Sequence, residues 1–225
     1  MDYKRLVHKF LKYAHNSDLT MLHYFFRFSF ALIAGVVLGS SGSATVGQAN
    51  GQLVGSSVTL DYGTFNGFAN ASTGIIYFRG VRFADAPIGD LRWRSPVSPP
   101  TKHLGIVNAT QFADACIETA QITVSPGTSE DCLFGNVFIP IGTHVDDKIP
   151  VMIWFHGGGY QLGNTHNAPP ELIMGSSSRP LIFVSFEYRL GQFGFLGGTE
   201  ISKNGELNAG FLDQRAALQW GSNGR

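Results

Sequence analysis

The residues best suited to chemistry lie together between positions 151 and 163, in the run Val-Met-Ile-Trp-Phe-His-Gly-Gly-Gly-Tyr-Gln-Leu-Gly. Five apolar residues, four of them β-branched or aromatic, read as a strand buried on both faces. The strand stops at His156 and three consecutive glycines. Gly157, Gly158 and Gly159 lack Cβ atoms, so this turn can take positive φ angles and let a ligand approach the main chain. Their N–H groups can then converge on one anion. The chemistry such a loop serves is stabilisation of an oxyanion. The plain alternative is a glycine-rich turn that only reverses the chain.

The elements that must position this loop come from a chain of 225 residues, 44% of them hydrophobic, enough for a sizeable core in one large or two small domains. Sixteen Lys plus Arg balance sixteen Asp plus Glu, and no basic run lies past residue 30, so no electrostatic nucleic-acid partner is indicated. High Gly and Phe counts, 28 and 18, fit strands joined by tight turns better than a helical bundle. No metal or cofactor motif is visible: the seven histidines are scattered and the two cysteines are too far apart for a CxxC site.

Residues 1–20 are polar and basic, with Leu6, Val7, Phe10 and Leu11 at helical spacing, and read as an extension ahead of a second start at Met21. From Met21 a weakly basic start, the apolar run Phe28 to Leu38 and small residues through Ala49 describe a secretory signal, too short for a stable membrane span. Cleavage is expected after Ala44 or Ala49. Asn70-Ala71-Ser72 and Asn108-Ala109-Thr110 are glycosylation acceptors in that compartment. Cys116 and Cys132 either pair there or remain two buried thiols; a bridge would contribute on the order of 3 kcal/mol through chain entropy.

Val58 to Phe83 alternates β-rich runs with Gly and Asn, a meander of antiparallel strands, followed by a long proline-bearing loop. Leu133 to Ile139 is a strand ended by Pro140, Thr143 to Lys148 a polar turn, and Pro169-Pro170-Glu171 the start of a short helix. Leu181 to Tyr188 is a further apolar strand. Asn208 is expected to cap a helix whose Phe211, Leu212, Ala216 and Trp220 share one face, with Gly221 as its stop. Antiparallel strands before residue 140 and strand–helix alternation after it make a mixed sheet becoming α/β.

Five blocks then carry a family likeness. They are Phe-Arg-Gly-Val-Arg-Phe-Ala-Asp-Ala-Pro-Ile-Gly-Asp-Leu-Arg-Trp (78–93), Ser-Glu-Asp-Cys-Leu-Phe-Gly-Asn-Val (129–137) and Ile-Trp-Phe-His-Gly-Gly-Gly-Tyr (153–160). Glu-Tyr-Arg-Leu-Gly-Gln-Phe-Gly-Phe-Leu (187–196) and Asn-Ala-Gly-Phe-Leu-Asp-Gln-Arg-Ala-Ala-Leu-Gln-Trp (208–220) follow. In this order they resemble the type-B carboxylesterases, the group of cholinesterases and secreted fungal lipases. The resemblance implies the N-terminal part of an α/β-hydrolase sheet, with residues 1–49 an extension and signal, 50–220 the carboxylesterase-like part and 221–225 a divergent tail. It makes Gly158 and Gly159 the main-chain donors to a tetrahedral intermediate, with His156 and Gly157 shaping the loop. It also implies two structural ion pairs, Arg92 with Glu130 and Arg189 with Asp213.

The sequence departs from the family in three places. Gly135 replaces a larger apolar residue and is expected to loosen its strand. No aromatic residue lies between Cys116 and Cys132, which disfavours choline esters. No G-x-S-x-G nucleophile elbow occurs anywhere in the 225 residues. The expectation is therefore the N-terminal portion of a secreted serine carboxylesterase, resembling a truncated or mis-spliced product. Such a chain has an oxyanion loop for a small-molecule or lipid ester but no triad, and is inactive alone. The alternative is a neuroligin-like adhesion domain that keeps the fold without catalysis.

Overall fold

A computed structural model describes residues 52–121 and 124–222. The N-terminal extension, the signal sequence with its cleavage positions and the last three residues of the tail lie outside the described residues. In chain order the strands are β1 (Ser57–Leu60), β2 (Gly63–Asn66), β3 (Phe68–Asn70), β4 (Ile75–Arg82) and β5 (Ile106–Asn108). Then come β6 (Ala115–Cys116), β7 (Thr128–Ser129), β8 (Phe134–Pro140), β9 (Val151–Phe155) and β10 (Ile182–Phe186). The helices are α1 (Pro170–Gly175), α2 (Gly191–Phe195), α3 (Thr199–Asn204) and α4 (Ala209–Ser222).

The central sheet has the order β3-β4-β8-β10-β9. Its first three pairings are antiparallel, and β9 runs parallel to β10 through the crossover that contains α1. Period-two alternation sorts side chains between two layers. Ile76, Phe78, Val137, Ile139, Val184 and Phe186 point into the main core, covered by β1, β2 and α4. Ile75, Tyr77, Phe138 and Phe183 point the other way, under Ile173 and Met174 of α1.

Four local expectations are corrected. Not every early pairing is antiparallel: β2 pairs parallel with β5, and β6 parallel with β7. The chain between β2 and β5 passes through β3, β4 and the proline loop, which supplies the long connection a parallel pair needs. The strand buried throughout is β10, whereas β9 has one neighbour among the described residues and leaves Met152 45% exposed. Gly135 does not loosen β8. A Cβ there would stand 2.6 Å from the Phe186 ring, so the missing side chain makes room for that aromatic.

The fourth correction concerns α4. Asn208 adopts φ 59° and its carbonyl accepts the N–H groups of Phe211 and Leu212, and the helix continues through Gly221. Ala209, Asp213, Ala216 and Ala217 form its buried stripe. Phe211, about 200° around the helix from Ala209, projects outward. At the far end Trp220 Nε1 donates to Tyr62 Oη (2.8 Å), which donates to the Arg82 carbonyl (2.8 Å).

Candidate oxyanion site

The parallel register that sets Phe155 beside Phe186 makes His156 and Glu187 leave the sheet as neighbours. Both are buried, with His156 Nε2 3.6 Å from Glu187 Oε2. Tyr188 stacks its ring on the imidazole, centroids 4.4 Å apart, and its Oη donates to the His156 carbonyl at 2.7 Å. Burial, with Tyr160 and the Glu187 carboxylate adding to it, pushes the Tyr188 hydroxyl up to about 12, so it stays a donor at neutral pH. Glu187 Oε1 accepts from both the N–H and the hydroxyl of Thr165, each at 2.7 Å. Asn136 of β8 donates to Thr165 Oγ1 (2.9 Å) and Ser185 Oγ (3.2 Å), and its Oδ1 accepts the Gly80 N–H. Asn136, Thr165, Ser185 and Glu187 Oε1 satisfy one another beneath the loop, whereas His156 Nε2 and Glu187 Oε2 face each other without a hydrogen-bond partner.

The loop itself takes φ of 122° at Gly158 and 62° at Gly159, continuing at 63° through Tyr160. A Cβ on Gly158 would stand 1.8 Å from the Leu162 carbonyl oxygen, so only glycine fits there. Gly157 has no positive φ and no crowding. The Gly158 carbonyl accepts the N–H groups of Gln161 (3.1 Å) and Leu162 (3.3 Å). In a trans peptide C=O and N–H point opposite ways, so the Gly159 N–H faces away from those donors. Among the described residues no acceptor takes the N–H of Gly158 or Gly159. His156 Nδ1 lies 3.0 Å from the Gly157 carbonyl, which can only accept, so the ring bonds to its own loop.

Next to Gly159 in the chain, Tyr160 meets Phe195 and Phe211, the three ring centroids lying 4.9 to 5.2 Å apart. Sequence reasoning missed this rim, because Phe211 was assigned to the buried face of its helix. It also missed Glu187 and Tyr188, although both begin one of the five blocks; their signal was the register of two parallel strands, which a sequence does not print.

The remaining site residues fall into place further out. Cys116 and Cys132 are joined, with Cα atoms 5.0 Å apart. Arg92 reaches Glu130 through two bonds, 2.5 and 2.8 Å, and next to it Arg82 pairs with Asp131 at 2.6 and 2.7 Å, a pair the sequence did not single out. Arg189 grips Asp213 with Nε and Nη2 at 2.8 and 2.7 Å and with its own N–H at 3.0 Å. Burial pushes the Asp213 carboxyl upward, against the Arg189 guanidinium that pulls it down. Asn70 and Asn108 each accept with Oδ1 the N–H two residues on, from Ser72 and Thr110, so the nitrogen a glycan would use is not the atom engaged. Among the described residues no His, Cys, Asp or Glu cluster could hold a metal, and no helix is long and apolar enough to cross a membrane.

This arrangement of mixed sheet, crossover helix and glycine loop is that of the α/β-hydrolase fold. It superposes on Aspergillus niger EstA with a TM-score of 0.67 and 40% identity, over 73% of this chain and 31% of that one. A sequence model of the carboxylesterase family matches residues 54–223, and the chain belongs to that family. It is 36% identical to Lipase 1 of Geotrichum candidum, the match covering 64% of this chain and 31% of the lipase. It is 38% identical to secreted lipase 1 of Botryotinia fuckeliana, the match covering 64% of this chain and 29% of that protein. The chain thus spans about a third of the length of the relatives it matches.

Proposed function

We propose that residues 50–220 are the oxyanion-bearing part of a secreted serine carboxylesterase domain that hydrolyses carboxylic esters through an acyl-enzyme. Attack of a serine hydroxyl on the ester carbonyl places negative charge on its oxygen, and the N–H groups of Gly158 and Gly159 receive it. The observation that carries this reading is the Gly158–Gly159 peptide, whose carbonyl is tied down while its N–H finds no acceptor among the described residues. His156 and Gly157 shape the loop and transfer no proton. No cofactor is required. The 225 residues contain no G-x-S-x-G, so the chain on its own forms no acyl-enzyme. Secretion is supported by the leader-like run from Met21, by the Cys116–Cys132 bridge and by a relative named as secreted. Glycans are expected at Asn70 or Asn108.

The test has two arms. The 225-residue chain is treated with a fluorophosphonate probe and p-nitrophenyl butyrate, and neither stoichiometric labelling nor turnover is expected. Residues 54–222 are then exchanged for the matching segment of the Geotrichum candidum lipase, and this chimera is expected to hydrolyse the ester. A folded chimera without activity would refute the reading, and stoichiometric labelling of one serine in the chain alone would refute the claim of inactivity.

A further inference from the structure

We propose that the disulfide-closed segment from Cys116 to Cys132 is a strap that positions the oxyanion loop, with Glu118 as its positioning side chain. The proposal rests on reading Gly158 and Gly159 as oxyanion donors. The far limb of the loop bonds to the residues just after Cys116. The Thr119 N–H donates to the Gln161 carbonyl at 2.8 Å, and the Gly163 N–H donates to Glu118 Oε1 at 3.0 Å. Two bonds of opposite polarity, two residues apart on the loop, fix both the height and the tilt of that limb. A third contact closes the ring: Gly191 donates its N–H to the Tyr160 carbonyl at 2.8 Å, and a Cβ there would lie 2.2 Å from Thr119 Oγ1. The strap and the start of α2 thus hold the loop from two sides.

The strap has a fixed base. Both sulfurs are buried, the Glu118 N–H donates to Gln121 Oε1 (2.7 Å), and the Gln121 amide donates across the segment to Thr128 Oγ1 (3.2 Å). Beyond Thr128, Glu130 and Asp131 are clamped by Arg92 and Arg82 beside Cys132. The consequence reaches the donors through one peptide plane. Gln161 and Leu162 supply the N–H groups that hold the Gly158 carbonyl, and that carbonyl sets the direction of the Gly159 N–H. Displacing Gln161 to Gly163 therefore turns the donor.

Amide hydrogen exchange of the full 225-residue chain tests this without any need for activity. Glu118→Ala is expected to accelerate exchange of the hydrogen-bonded Gln161–Gly163 amides about five- to tenfold, the scale of one lost hydrogen bond, with exchange in β4, β8 and β10 unchanged. Glu118→Gln is expected to exchange like the parent, because its amide oxygen accepts the same N–H. Replacing both cysteines with alanine is expected to loosen the same segment. Unchanged exchange at Gln161–Gly163 in the Glu118→Ala chain, or equal loosening by Glu118→Gln, overturns the strap whether or not the cysteine variant folds. An inactive chimera with a loosened Glu118→Ala loop would instead sink the oxyanion reading and leave the strap standing.

Discussion

The underside and the rim of the glycine loop are built on opposite rules. Beneath it, Asn136, Thr165, Ser185 and Glu187 are buried and hydrogen-bonded together, and His156, held by Tyr188, lies 3.6 Å from Glu187. At its other side, Tyr160, Phe195 and Phe211 pack on one another, Phe195 also reaches the main core, and Tyr160 and Phe211 are 45% and 44% exposed. The same contrast separates two adjacent glycines, since Gly158 is walled in by Leu162 while Gly159 has open space where a Cβ would go. On the proposed reading, the main-chain donor is fixed by the Gln161 and Leu162 N–H groups that hold the Gly158 carbonyl, over a buried base that keeps His156 in place. Preorganised donors of this kind spend no reorganisation energy as charge develops.

Substitutions on the two sides should separate accordingly. The largest effect is expected deep below the site, where Arg189→Ala leaves the Asp213 carboxylate buried without its partner; urea unfolding should show a loss of about 3–5 kcal/mol. In the lipase chimera, Gly158→Ala drives a methyl into the Leu162 carbonyl and should lower kcat about 10²- to 10³-fold. Gly159→Ala meets no atom and carries only left-handed strain, so its stability cost should stay near 1–2 kcal/mol. A Gly159→Ala chain more damaged than Gly158→Ala would invert the comparison.

Smaller effects follow. Tyr188→Phe removes the donor to a buried carbonyl and should cost about 1 kcal/mol or slightly more in urea unfolding. The same residue gives a pH signature. Its hydroxyl titrates at about 12 in the fold, against about 10 when unfolded, and Tyr62 is shifted the same way by burial. Stability that the neutral hydroxyls contribute is full below pH ~10 and is lost as pH rises through the folded value. The urea midpoint of the parent should fall above that pH, and less steeply in Tyr188→Phe. On the rim, Phe211→Ala should cost about 1 kcal/mol or less, since half its ring already faces water.

What the sequence made legible was local or carried by blocks. The glycine run announced the turn because only glycine tolerates the φ and the contact at Gly158, and long apolar runs announced the strands of the sheet. Burial was misjudged where it depends on neighbours rather than on composition: β9 is wholly apolar and β10 carries Ser185, yet β10, inside the sheet, is the strand that is covered. Gly135 was misjudged for a related reason, since its worth lies in a ring from a strand 51 residues away along the chain. The buried Glu187 network and the Glu118 contact escaped because each joins segments that only tertiary structure brings together.

The central claim is that the Gly158 and Gly159 N–H groups receive the oxyanion. A crystal structure of the lipase chimera inhibited by a phosphonate ester, whose phosphonyl oxygen stands in for that oxyanion, tests it most directly. The account predicts this oxygen at about 2.7–3.1 Å from both nitrogens, with the Gly158 carbonyl still bound to Gln161 and Leu162. A phosphonyl oxygen held by other donors, with the two glycine N–H groups turned away, would contradict it.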